Sequence, residues 1–287
     1  MSCRSLGIIV CLQGRVEECE RLLRQSIAAF QAVGDRVDTV GTLTNLSYVL
    51  LFLGRPAEAH AQLGKSAAIL DELGLRDWVT AQNLSARGTA ALWLGRYRQA
   101  RTFAEAGLAV AREIGRHNIL TSCLSDLGMV AIVEEDYARA VQLLGESVAA
   151  ARQIGHFQAD SYAALLGLAA LRQGQPHQAR RHLYEALRAA VEKGSFIPLL
   201  YALPPVAVLL VGEGEVERAV ELYALALQQP FVAHSRWFED VVGRHVAAAA
   251  EALPPEVVAA AQERGRARDL WATAQELVVE WETCYQC

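Results

Sequence analysis

The chain has 287 residues, of which 53% are hydrophobic and 21% charged, and a formal net charge of −5. Acidic and basic residues are interspersed, which argues against a nucleic-acid face, since that requires a basic stripe. No run of about 20 apolar residues is free of charge, so no membrane-spanning helix is expected. The six cysteines (Cys3, Cys11, Cys19, Cys123, Cys284 and Cys287) fit neither a disulfide framework nor a zinc-site spacing; scattered reduced thiols of this kind suit the cytoplasm.

In chain order, the first elements expected are a short helix from Cys3 to Gln13 and a second from Arg15 to Val33. Arg4 and the apolar run from Leu6 to Leu12 have two features of a signal peptide. The run is in phase with the first repeat, however, and is read as its first helix. Five further helical hairpins follow, over about 36–74, 76–115, 117–155, 157–194 and 197–229. Their turns set the pattern. Gly14, Gly54, Gly95, Gly174 and Gly214, with Glu135 in the same slot, give positions 14, 54, 95, 135, 174 and 214, spaced by 40, 41, 40, 39 and 40. A second series, Gly34, Gly74, Gly115, Gly155 and Gly194, falls between them with the same period. Two interleaved series mean two helices per repeat, and a period in this range marks a stacked array. Five residues after each turn stands a small residue, Cys19, Ala59, Ala100, Ala140, Ala179 or Ala219, which is expected to face the partner helix. Pro56 and Pro176 sit in the first turn of their helices, where no N–H is needed. Pro204 and Pro205 fall inside the first helix of repeat six and predict a distortion there.

After Pro230 the pattern changes. One helix is expected over about 234–253, a short one from Pro254 to Gln262, and a last one from Gly265 to Trp281. Together, 231–287 read as capping helices for the repeats at 1–230. The opening lacks a polar capping helix, which predicts that the chain is a segment of a longer protein or docks on another body through its start.

The motif pairs Leu6-Gly7, Leu46-Ser47, Leu127-Gly128, Leu166-Gly167 and Val206-Ala207, with Leu23, Leu63, Leu144, Leu183 and Tyr223 further on, resemble the tetratricopeptide repeat. That motif usually runs about 34 residues; the longer unit here resembles repeats in the sensor region of the maltose-regulon activator family and related signal-transduction ATPases. Leu253-Pro254-Pro255-Glu256-Val257 and Arg264 to Trp271 look like the closing segment of that class. The resemblance implies an all-α, right-handed superhelical solenoid of about six helix-turn-helix repeats with a C-terminal helical cap. It also implies a non-enzymatic sensor or scaffold segment of a larger bacterial signalling or transcription regulator, with an upstream NTPase or effector domain in the same protein. A stand-alone peptide receptor or assembly adaptor is the alternative.

Nothing in the sequence calls for catalysis, a cofactor or a metal. There is no G-x-x-x-x-G-K-[ST], G-x-S-x-G or H-E-x-x-H motif, and His177 and His182, five apart, do not share a helix face. Cys284-Tyr285-Gln286-Cys287 has the C-x-x-C form but no strand-to-helix context. Laying the repeat pattern on the chain puts Thr44, Tyr48, Gln82, Ser85, Thr89, Trp93, Ser122, Ser125, Met129 and Ser161 on the inner wall of first helices. Hydroxyls and amides with a few large apolar groups suit a protein segment, a peptide or a small organic ligand. Lys65 and Lys193 are the chain's lysines and both fall on second helices, so an acidic-tail clamp is not expected. Arg87 occupies a slot filled by leucine or valine elsewhere. Either its stem packs and its head pairs with Asp126, or it awaits an anionic ligand group. Solenoid edges can stack, which makes a homodimer through the N-terminal face a further expectation.

Overall fold

Each repeat is a pair of antiparallel helices closed by a tight turn. The computed structural model describes residues 15–286, with side chains to Thr283; the expected first helix with Leu6-Gly7, and the cysteines at 3, 11 and 287, lie outside the described residues, as does the side chain of Cys284. The helices are α1 (Val16–Ala32), α2 (Arg36–Phe52), α3 (Pro56–Leu73), α4 (Trp78–Trp93), α5 (Tyr97–Glu113), α6 (His117–Val133), α7 (Tyr137–Gln153), α8 (Ala159–Arg172), α9 (Pro176–Lys193), α10 (Phe196–Gly212) and α11 (Val216–Ala226). The turns are made as the glycine spacing requires. Gly95, for example, adopts φ +70° after Leu94 ends α4, and Arg96 N–H then bonds back to Ala91 C=O at 2.8 Å. Glu135 takes the same left-handed conformation, φ 61°, with a side chain that disfavours it. The small residues Cys19, Ala59, Ala100, Ala140, Ala179 and Ala219 are all fully buried, which lets the two helices of each hairpin approach closely.

Two compact units emerge. Unit one holds the chain up to Val130 plus His234–Arg236; unit two holds Ala131–Ala233 and the chain from Trp237 onward. In unit one, α1 packs on α2, α2 on both α3 and α4, and α4 on α5. Two of its helix starts are capped by side chains: Asp35 accepts from Asp38 N–H at 3.0 Å, and Asp77 from Val79 N–H at 2.9 Å. The short 234–236 segment belongs to this unit, with Arg236 lying over Gly95.

In unit two, α8 packs on α7, α9 and α10, and α10 on α11. α10 remains one helix through Pro204 and Pro205, and its residues 197–210 are all buried. The departure expected in repeat six falls instead on its second helix, α11, which is only 11 residues long. Burial on all sides supplies the packing that offsets the missing ladder bonds. The helix expected over 234–253 runs from Arg236 to Ala250 as α13 (Arg236–Phe238), a π-turn (Glu239–Gly243) and α14 (Arg244–Ala250), with the short α12 (Pro230–Ala233) before it. α15 (Pro255–Ala267) packs on α11 and α16 (Leu270–Gln286) on α9. Arg264 and Arg268 pair with Glu221 at 2.9 and 2.7 Å, and Arg218 pairs with Glu280.

Candidate functional site

Hydroxyl and amide side chains collect in unit one, where α2, α4 and α6 present adjoining faces. Each helix sets its own row through three- and four-residue spacing: Asn45 and Tyr48 on α2; Gln82, Ser85 and Thr89 on α4; Ser122, Asp126 and Met129 on α6. At the start of the strip, Gln82 Nε2 donates to Asn45 Oδ1 at 3.2 Å. Gln82 Oε1 and Asn45 Nδ2 are buried and make no hydrogen bond. The pair thus offers one spare acceptor and one spare donor, and reversing both amides leaves the same complement.

One turn further along lies a cluster around Asp126. This carboxyl is 4% exposed. Thr89 Oγ1 donates toward it, at 3.0 Å from Oδ2 and 3.3 Å from Oδ1. Among the described residues no cationic side chain pairs with it. Burial pushes its pKa up to about 8, and the Thr89 hydrogen bond only partly opposes that. Gly88 leaves the room: a Cβ there would stand 3.0 Å from Asp126 Oδ2. The Tyr48 ring is half-exposed while its hydroxyl is enclosed beside Ser85 and Thr89; burial and then the nearby Asp126 carboxyl raise its pKa. Cys123, fully buried, is pushed up to about 12 by burial and then by the same carboxyl. Ser85 is 2% exposed, and its hydroxyl lies near Tyr48 and Cys123 without a well-aligned hydrogen-bond partner.

The remaining sequence-expected residues fall in several environments. Thr44 is fully buried and donates to Val40 C=O at 3.0 Å, so its hydroxyl is already used. Trp93, Ser125 and Met129 are buried, and Ser122 is half-buried with its hydroxyl 3.3 Å from Asn118 C=O. Ser161 belongs to α8 in unit two, fully buried and with no partner for its hydroxyl. Arg87 does not pair with Asp126. Two residues before Thr89 it points to the opposite side of α4, where its guanidinium sits 4.0 Å from the Phe103 ring centroid. Burial lowers its pKa and Asp71 opposes the shift. The sequence reading missed Asn45 and Cys123 and took Asp126 only as a structural partner. The signal for Asp126 was available: it is an acid just before the Leu127-Gly128 pair, a slot held by Ala86 and Leu165 in neighbouring repeats.

No group of three or more His, Cys, Asp or Glu side chains that could hold a metal occurs among the described residues, and no described helix is long and apolar enough to cross a membrane. The arrangement is a row of hydrogen-bonding groups with unused capacity, set among packed helices.

The repeating hairpin with its small-residue contacts defines a helical-repeat protein of the solenoid class. Residues 2–72 match the tetratricopeptide repeat family. It is 29% identical over 190 residues to regulatory protein AfsR of Streptomyces griseus, which covers 66% of this chain but only 18% of that protein. The chain therefore spans less than a fifth of the length of that relative. Among solved structures, it superposes on a Rap protein complexed with competence and sporulation factor with a TM-score of 0.73 at 15% identity, over 97% of this chain and 75% of the other. A signal-transduction ATPase with numerous domains and a tetratricopeptide-repeat sensor, from Pyrococcus horikoshii, gives a TM-score of 0.52 at 15% identity, over 92% and 44%. These structural likenesses carry the fold alone.

Proposed function

We propose that this chain is a protein- or peptide-binding sensor segment of a larger bacterial regulator, without catalytic activity of its own. The observation that carries the reading is the polar strip on α2, α4 and α6. Buried groups normally find hydrogen-bond partners, so spare capacity at Asn45, Gln82 and Ser85 marks a face suited to a partner. One donor beside one acceptor is the complement of a peptide unit. The similarity to regulatory protein AfsR supports the regulator context, and the Rap complex, a related fold holding a signalling factor, supports a peptide as ligand. An upstream NTPase or effector domain belongs to the same reading, as does a cytoplasmic setting.

The test is affinity selection of a random peptide library on the purified chain, repeated with Gln82→Ala. The expected result is an enriched sequence class whose binding weakens at least about tenfold in the variant, the loss of a buried hydrogen-bonded pair being worth roughly 1–3 kcal/mol. Absence of enrichment, or equal enrichment on both proteins, would contradict it. A stand-alone receptor shares this site, and the reading frame encoding the chain separates the two: an in-frame NTPase or helix-turn-helix domain favours the regulator.

A further inference from the structure

We propose that Asp126 anchors a positively charged group, an ammonium or a guanidinium, on the peptide that unit one binds. The inference rests on the peptide-binding reading and adds to it what the peptide must carry. Four observations support it. The carboxyl is buried and, among the described residues, has no counter-charge; its hydrogen-bond partner is the Thr89 hydroxyl. The groups seen to face it are uncharged: the Tyr48 phenol from α2, Thr89 from α4 and the Cys123 thiol on its own helix, with the backbone of Ala100 and Ala104 of α5 near Gly88. Arg87, the basic residue two positions before Thr89 on α4, has its guanidinium over the Phe103 ring on the other side of that helix. Finally, Ser85 stands about one turn and Gln82 about two turns before Thr89 on α4, so a peptide held by the spare groups of Gln82, Asn45 and Ser85 could present a side chain or amino terminus to the carboxyl.

A structural role alone is a poor account of this acid. Leucine or alanine fills the slot in neighbouring repeats, and an unpaired buried carboxyl costs stability without returning any. A cation brought into the site changes that balance, because a charge-assisted hydrogen bond to an ionised carboxylate is about twice as strong as a neutral one. Tyr48, partly exposed, covers the cluster with its hydroxyl. The step is a proton exchange: the neutral acid gives up its proton to solvent and the resulting carboxylate pairs with the incoming cation. At pH 7, below the carboxyl's own pKa of about 8, binding therefore releases close to one proton.

The experiment uses acetylated, amidated hexapeptide pools, each with one position fixed as Arg, Lys, citrulline or norleucine. Titration against the whole chain at pH 7 should show the Arg and Lys pools binding at least about tenfold tighter than the two neutral ones, with the preference falling below about twofold in Asp126→Asn. Calorimetry of the unmodified chain in phosphate and in Tris gives an independent readout that no folding defect can mimic: close to one proton released with the Arg pool and none with citrulline. If pools bind without charge preference, if the preference survives in Asp126→Asn, or if the Arg pool releases no proton, the anchor is overturned and peptide binding stands. If no pool binds, the peptide reading fails and the anchor with it.

Discussion

Unit one and unit two use the same hairpin and fill it differently. In unit one the first helices bury Thr42, Thr44, Ser47, Asn83, Ser85, Thr89 and Asp126. In unit two, α10 buries an apolar run from Ile197 to Leu210, and α8 is alanine and leucine around Ser161. Some of unit one's hydroxyls are locally satisfied: Thr42 and Ser47 donate to the carbonyls four residues back, at 2.7 and 2.8 Å. Asp126, Ser85 and the Asn45–Gln82 pair are not fully satisfied, and those are the groups the proposed function uses. The comparison teaches that the repeat tolerates polar residues on this face when each finds a local carbonyl. The exceptions each lower stability, and in unit one they cluster on neighbouring helices, whereas Ser161 of unit two stands on α8 among alanine and leucine.

The largest expected effect sharpens that contrast. Asp126 has a folded-state pKa raised to about 8, against about 3.9 when unfolded. A raised pKa means the folded state holds its proton longer than the unfolded state. Stability from this group is then fully present below pH 4 and is lost as pH rises through 8, by on the order of 5 kcal/mol across that window. Melting of Asp126→Asn from pH 5 to pH 9 should show that loss removed, with the variant more stable than the unmodified chain at pH 9. An unchanged pH profile would place the carboxyl in a solvated environment.

A second break strikes unit two. Gly265 of α15 lies against the Glu221 carbonyl and the Ala224 side chain of α11, where a Cβ has no room. Gly265→Ala should force the two helices apart and destabilise by about 3 kcal/mol, measured by urea unfolding; a loss below about 0.5 kcal/mol would contradict that packing. Smaller still, Asp77→Ala removes the cap that accepts from Val79 and Thr80 N–H and should cost about 1 kcal/mol in unit one. Glu135→Gly should stabilise by about 1 kcal/mol, because it relieves a left-handed backbone held by a residue with a Cβ. Equal or lower melting temperature in that variant would show that the Glu135 side chain contributes more than the strain removes.

The fold was legible from the sequence because its signals are local. Glycines at left-handed turns and alanines at helix contacts recur every 40 residues or so, and each has a steric reason independent of the rest of the chain. The irregularities were legible only in part. Pro204 and Pro205 signal a broken helix, yet α10 survives because packing on every side supplies what the backbone lacks. The π-turn at Glu239–Gly243 gives no local signal. At the candidate site, periodicity picked out a helix face but gave no depth: Thr44, Ser85, Thr89 and Trp93 are buried, while Tyr48 and Gln82 keep some exposure. Arg87 and Asp126 looked like a pair because they are complementary charges one repeat apart. Which side of α4 each group meets is set by helix rotation, and there Thr89, two residues on, faces Asp126 instead.

The account turns on one ionisation, and carbon-13 NMR of the Asp126 side-chain carboxyl, followed from pH 3 to pH 10 in the whole unliganded chain, reads it without any ligand or variant beyond those needed for assignment. A midpoint near 8 is the predicted result. A midpoint near 4 would mean that the carboxyl is hydrated or already paired, and the argument from an acid kept without its counter-charge would fall.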